Sequence, residues 1–117
     1  EKDYLHALDL FSSCRQILEP CNEICRQADW NFFLDLAIAA DAGKADKIII
    51  PGTGPFPNTI TWTGTHEERA SRISHAMKKG IHKDTLITHA FYKHLPEKTK
   101  EKYATLYYLH HICCYAE

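Results

Sequence analysis

The sequence predicts a mainly α-helical fold: a compact bundle of five or six helices with one short β-hairpin-like excursion at about residues 47–64. Apolar residues recur every three or four positions along most of the chain, as they do on the buried face of a helix. The stretch IIIPGTGPFPNTITWTG, residues 48–64, breaks that rhythm. The 117 residues are predicted to form a single domain. Because the chain opens without methionine, we expect this domain to be excised from a longer protein.

The N-terminal half is predicted to contain one long or two shorter helices, followed by a core helix. Apolar residues with three-to-four spacing run from Tyr4 to Cys25. Pro20 interrupts this run, so the helix either kinks there or gives way to a second helix that begins at the proline. Asp29 is placed to cap the next helix, residues 30–42, whose nearly all-round apolar composition suits a central core position.

The C-terminal half is predicted to hold three more helices after the hairpin. Thr65 and Glu68 fit a capping box at the start of a helix that runs to about Lys79. A second helix spans about residues 83–94. Pro96 opens the last helix, in the first-turn position that proline favours.

The hairpin allows two alternatives. An isolated two-stranded hairpin is marginal in water, so it must lean on the helices or on another molecule. Its apolar side chains could cover the helical core, or they could form an exposed element that inserts into a membrane or docks on a partner. The second alternative assigns this role to Ile50, Phe56, Ile60 and Trp62.

The charge is nearly balanced over the chain but unevenly distributed. A formal net charge of −1 does not suit a bulk polyanion binder, so no nucleic-acid partner is expected. Residues 1–46 carry four Lys/Arg against nine Asp/Glu, a balance of −5. Residues 47–117 carry ten against six, a balance of +4, so the second half is better suited to anions.

Cationic residues cluster around the hairpin and on the helix after it. Arg69 and Arg72 lie one turn apart on that helix and could share a phosphate, while the helix N-terminus near Thr65 offers free backbone N–H groups. The alternative is an ordinary solvated helix face. We predict an anionic headgroup site that includes Lys44, Lys47, Thr65, His66, Arg69, Arg72, Lys78 and His110.

No motif indicates catalysis or a bound cofactor. The five cysteines are odd in number and lie on apolar helical faces, which indicates reduced thiols and a cytosolic protein. Cys21 and Cys25 are one helical turn apart but lack the short spacing of structural zinc ligands, so no metal is expected. Neither a phosphate-binding loop nor a nucleophile elbow is present. Asp35 and Asp41 lie on or near the most apolar segment, where a carboxylate more often forms a structural pair than acts in catalysis.

An all-helical module of this length, with a cationic pocket beside an apolar insertion, resembles the phosphatidylinositol 4-phosphate-binding C-terminal domains of bacterial type IV-secreted effectors. The matching features are Arg69, Arg72 and Lys78 near the stretch IIIPGTGPFPNTITW. The resemblance implies headgroup capture by Arg, Lys, Ser/Thr and His side chains, with Thr88 added to the site. It also implies shallow insertion of the apolar element and, for a secreted effector, a place in the host cytosol.

The leading functional prediction is a non-enzymatic membrane-targeting module. It would bind an anionic phosphoinositide headgroup in the basic pocket while the apolar loop inserts into the membrane, as a cytosolic protein peripheral on membranes. The alternative is a helical protein–protein interaction domain that uses the apolar loop as its docking surface. A third possibility is a fragment of an enzyme's regulatory or catalytic region.

Overall fold

The structure of the protein is a computed structural model that describes residues 2–31, 33–81 and 83–117. Four helices and six strands lie in these ranges. The helices are α1 (Lys2–Gln27), α2 (Thr65–Met77), α3 (His89–Tyr92) and α4 (Glu97–Lys102). The strands are β1 (Ile38–Ala40), β2 (Asp46–Ile50), β3 (Thr59–Thr63), β4 (Thr85–Thr88), β5 (Thr105–Leu109) and β6 (Ile112–Ala116). The predicted mainly α-helical bundle is therefore wrong, because the described chain forms two sheets as well as helices.

The main sheet has four strands in the order β1–β4–β6–β5. Strands β1 and β4 are parallel, with Ile38 opposite Thr85, and the other two pairings are antiparallel. Strands β2 and β3 form a separate antiparallel sheet. The polypeptide between β1 and β4 therefore carries both the small sheet and α2.

Strand β4 separates two hydrophobic clusters, one on each face of the main sheet. Leu86 and Ile87 are adjacent in sequence and both fully buried. Since successive strand residues point to opposite faces, both faces of the sheet are covered at β4. Leu86 lies with residues of α2 and β6: Ile73, Met77, Cys114 and Ala116. Ile87 lies in the other cluster with Ala40, Phe91, Leu95 and Tyr103, against which the N-terminal part of α1 packs. Helices thus cover the sheet on both faces.

The predicted core helix at residues 30–42 is wrong. The described residues of this segment are irregular up to Ala37, and the last part forms β1; Phe32 lies outside the described residues. Asp29 caps no helix, since it has a φ of 55° in the turn after α1. A short apolar run suits a buried strand as well as a buried helix, so composition alone could not distinguish them.

Most of the predicted C-terminal helices are also wrong. Residues 85–88 form β4, which leaves only the single turn of α3 from the helix predicted at 83–94. The helix predicted after Pro96 ends at Lys102 and is followed by two strands. Threonine, tyrosine and isoleucine are enriched in these strands, as expected for residues that pack well on a pleated surface.

The turn between β5 and β6 lacks the residues that usually indicate a β-hairpin in a sequence. His110 and His111 have φ values of 49° and 64°, so both central residues of the two-residue turn are left-handed. Such turns connect antiparallel strands with the right twist, and they normally contain asparagine or glycine. The His-His pair carries no such signal.

Helix α1 runs without a break through Pro20, so neither a helix end nor a second helix occurs there. Pro20 lies on an exposed part of the helix surface. At α2 the predicted capping box is wrong. Gly64 occupies the cap position without a side-chain hydrogen bond, and Thr65 is the first helical residue.

The core contains a buried phenol and a buried thiol, and their ionisation is expected to lower the stability of the protein at alkaline pH. Burial, with a smaller contribution from Glu117, raises the pKa of Tyr103 from 10.0 to about 12. Burial also raises the pKa of the Cys114 thiol from 9.0 to about 11. In this range the unfolded chain loses protons first, so stability is expected to be complete below about pH 9 and to fall as the pH rises towards 12.

Urea unfolding of the wild type and of Tyr103→Phe, measured from neutral to alkaline pH, checks this expectation. The variant should lose less stability than the wild type above about pH 10, since the phenol that must stay protonated is gone. Identical pH slopes for the two proteins would show that Tyr103 does not contribute.

Candidate functional site

The hairpin of β2 and β3 projects apolar side chains from both of its faces. Residues directly opposite each other in an antiparallel pair share a face. One face carries the pairs Ile49–Ile60 and Lys47–Trp62, and the other carries Ile48–Thr61 and Ile50–Thr59. Every residue of both strands is exposed. The hairpin therefore has two open faces, one of them almost entirely apolar.

The four predicted docking residues are all more than half exposed. Ile50 is 51% exposed, Ile60 55%, Trp62 57%, and Phe56 at the tip 71%. These side chains do not cover the core, so the first of the two alternatives for the hairpin does not hold. Two further isoleucines of β2, at positions 48 and 49, extend the exposed apolar surface.

The wide tip of the hairpin is closed by its own polar groups. The backbone N–H of Gly52 donates to Asn58 Oδ1 at 2.9 Å, and the N–H of Phe56 donates to the carbonyl of Thr53 at 3.1 Å. A Cβ at Gly52 would lie 2.0 Å from the carbonyl oxygen of Phe56, so only glycine fits there. These contacts hold Phe56 at the end of the hairpin.

Both strands of the hairpin have a free edge. Within the described ranges, β2 pairs with β3 and neither strand pairs with the main sheet. An unpaired strand edge presents a row of backbone N–H and C=O groups that can hydrogen-bond to another strand. The hairpin therefore offers main-chain partners as well as apolar side chains.

A cleft of about 480 Å³ separates the hairpin from the first turns of α2. Its β3 wall is formed by consecutive residues, whose side chains point alternately to the two faces of the hairpin. The cleft therefore follows the strand edge as well as one face. Its helical wall contains Glu67, Glu68 and Ser71. The full lining is Ile48, Thr61, Trp62, Thr63, Gly64, Glu67, Glu68 and Ser71. The groove beside the apolar hairpin is thus acidic on one side.

Two residues of the predicted headgroup site are bound by a buried carboxylate. Arg69 donates from Nε to Asp41 Oδ2 at 2.6 Å and from Nη2 to Asp41 Oδ1 at 3.0 Å. Thr88 Oγ1 donates to Asp41 Oδ1 at 2.6 Å, and the Thr88 side chain also caps α3. The Asp41 side chain is fully buried. This arrangement ties together the adjacent ends of β1 and β4 and the side of α2, and it sets a buried carboxylate against the guanidinium that was predicted to bind a phosphate.

The remaining predicted headgroup residues form one group at the base of the hairpin and three positions elsewhere. Lys44 and Lys47 are exposed at the base of the hairpin, and Thr65 and His66 form the first turn of α2. The imidazole of His66 packs against Gly43 and Gly64. Three others are exposed and lie apart: Arg72 on α2, Lys78 directly after it, and His110 in the β5–β6 turn. Lys78 lines a pocket with Asp35, Leu36 and Ala37 rather than with the hairpin.

Comparison with known proteins yields no match to this chain, whether by family model, by curated sequence or by solved structure. Among the residues that the structure describes, no three His, Cys, Asp or Glu side chains are grouped to hold a metal ion. Within the same ranges, no helix is both long and apolar enough to cross a bilayer.

Sequence reasoning missed the acidic wall of the cleft. The sequence pattern predicts a capping role for Glu68 and no role for Glu67, and their position beside Trp62 follows only from the tight connection at Gly64. The structural role expected for a carboxylate near the apolar segment does fit Asp41, which pairs with Arg69. A polar residue directly after a short apolar strand would have been a usable signal for this pair.

Proposed function

We propose that this chain is a protein-interaction module whose hairpin binds an extended segment of another protein. The segment lies in the cleft beside α2 and adds a strand to the free edge of β3. The observation that carries this proposal is an exposed apolar hairpin that forms a sheet of its own. Strand addition to an open edge supplies main-chain hydrogen bonds, while alternate side chains give specificity.

The open strand edges favour a protein over a bilayer as the partner. Backbone groups that lack hydrogen bonds cost several kcal/mol each in hydrocarbon, which is why open sheet edges do not occur there. A partner strand would satisfy the same groups. Insertion of the hairpin beyond its tip into a membrane would leave them unpaired.

The charges that line the cleft indicate the chemistry of the bound segment. Glu67 and Glu68 line the cleft, and the arginine nearest to it in sequence, Arg69, is held by Asp41. An anionic headgroup would meet carboxylates at this cleft, whereas lysine or arginine side chains would meet opposite charge. The preferred segment therefore alternates apolar with basic residues, the apolar ones packing on the face that carries Trp62.

The test uses the fluorescence of Trp62 in a Trp30→Phe background. The probe is a capped octapeptide of alternating valine and lysine, with a valine–glutamate octapeptide as its acidic counterpart. We expect a water-exposed emission that shifts to the blue with the basic peptide alone. Glu67→Gln with Glu68→Gln should weaken this binding by about 2- to 30-fold, since exposed ion pairs contribute about 0.2–1 kcal/mol each.

A matched control is Glu97→Gln with Glu101→Gln, which removes two exposed carboxylates from α4 and should leave binding unchanged. A parallel titration uses vesicles with and without phosphoinositide. A blue shift only with phosphoinositide vesicles would replace this proposal with the membrane-targeting function. Equal response to both peptides, or an emission already blue in the free protein, would also contradict strand binding at the cleft.

A further inference from the structure

Helix α1 carries a second apolar stripe that the fold leaves uncovered. Leu10 and Ile17 are each 61% exposed and Ile24 is 60% exposed, although Tyr4, Ala7, Leu8 and Phe11 of the same helix pack on the core. The three exposed residues are seven positions apart. A seven-residue repeat keeps one line of side chains on the same side of a helix that wraps around another helix.

Smaller residues fill the alternate positions of this repeat. Ala7, Cys14 and Cys21 fall three residues before Leu10, Ile17 and Ile24, respectively, and all three are partly buried. The spacing is therefore three, four, three, four and three, which is the pattern of the two apolar positions in a coiled-coil heptad. The occupant that this period fits is an α-helix.

We propose that α1 binds α1 of a second copy of this chain in an antiparallel pair, across a two-fold axis. In this arrangement Ala7 lies opposite Ile24 of the second copy, Leu10 opposite Cys21, and Cys14 opposite Ile17. Every layer then joins one large and one small residue, so the layers fill evenly. The same patch serves both copies, as a two-fold interface requires. A parallel pair would instead place large residues opposite large ones.

The charges beside the stripe are compatible with self-association. The first 46 residues carry a balance of −5, so two copies would repel each other if carboxylates flanked the contact. The heptad positions next to the stripe on its open side hold no carboxylate and no ammonium group. They are His6, Ser13, Pro20 and Gln27.

The size of the contact predicts a reversible dimer. The stripe from Ala7 to Ile24 spans 17 residue steps, about 26 Å of helix, on a cylinder about 10 Å across. A contact of this size is smaller than the roughly 800 Å² per partner of standard stable interfaces. The dimer is therefore expected to form and dissociate with protein concentration rather than to be permanent.

Sedimentation equilibrium over a range of concentrations tests the proposal. The wild type should pass from monomer to dimer, and Ile17→Glu should weaken the dimer by about tenfold or more, because it places a charge at the centre of the contact. Gln16→Glu, one position away and off the stripe, introduces the same charge and should leave association unchanged. Circular dichroism establishes that both variants keep the fold.

The register has a test of its own. Ile17→Cys, oxidised in a mixture of isotope-labelled and unlabelled protein, should form a disulfide between position 17 of one copy and Cys14 of the other. A monomer at every concentration, or a dimer that Ile17→Glu leaves intact, would overturn the proposal. A dimer lost in Trp62→Ala but not in Ile17→Glu would belong to the hairpin and would equally overturn it. Linkage of Cys14 to Cys14 would overturn the antiparallel arrangement.

Discussion

Substitution of Arg69 by methionine is expected to lower the free energy of unfolding by about 3–5 kcal/mol. The Asp41 side chain is fully buried, and Arg69 makes two hydrogen bonds to it, from Nε and Nη2. Without the guanidinium, the donors that the described residues leave to the buried carboxylate are the Thr88 hydroxyl and the N–H of Ala42. Although the Arg69 side chain is 39% exposed, the Asp41 side chain is fully buried, so loss of the guanidinium leaves a buried charge uncompensated.

The matched control is Arg72→Met, one turn further along α2. Arg72 is exposed, so its loss should change the free energy of unfolding by no more than about 0.5 kcal/mol. Urea unfolding of the two variants measures the difference directly. Equal losses would mean that the Asp41 network does not stabilise the fold. They would also return Arg69 to the residues available for an anionic ligand.

Leu86→Ala and Ile87→Ala are each expected to destabilise the protein by about 2–5 kcal/mol. Both side chains are fully buried, but they belong to different clusters on opposite faces of the main sheet. Truncation of either one leaves its own cavity. Because the two side chains point to opposite faces and lie in separate clusters of the described residues, the loss in the double variant should be close to the sum of the single losses.

Ile49→Ala serves as the control, because this isoleucine is 55% exposed on the hairpin and its truncation should cost far less. Urea unfolding of the single and double variants measures all four losses. A strongly non-additive double variant would mean that the two side chains line one common cavity. That result would contradict their placement in separate clusters on opposite faces of the sheet.

The parts of the fold that could be predicted from sequence are those set by local pattern. The long apolar period of α1, the hairpin after Ile48 and the start of α2 near Thr65 all depend on residues close together in the chain. Strands β1 and β4 are only three and four residues long, and each is a strand because of its pairing with distant residues. Patterns among neighbouring residues cannot predict that pairing.

Local sequence likewise predicts some features of the candidate site, whereas others depend on the fold. Composition was enough to single out Ile50, Phe56, Ile60 and Trp62, but their exposure depends on the hairpin standing apart from the main sheet. The one-turn spacing of Arg69 and Arg72 was the basis for predicting that they share a phosphate. The contact of Arg69 with Asp41 depends on β1, which the sequence pattern had assigned to a helix.

The position of the hairpin within the chain has a consequence for the order of folding. Ile38 pairs with Thr85, 47 positions further along, whereas β2 and β3 close on each other across an eight-residue loop. Short loops close faster than long ones, and distant pairings slow folding most. During synthesis the hairpin can therefore form before β4 has emerged and before the main sheet exists. A partner that recognises the hairpin could engage this chain while it is still being made.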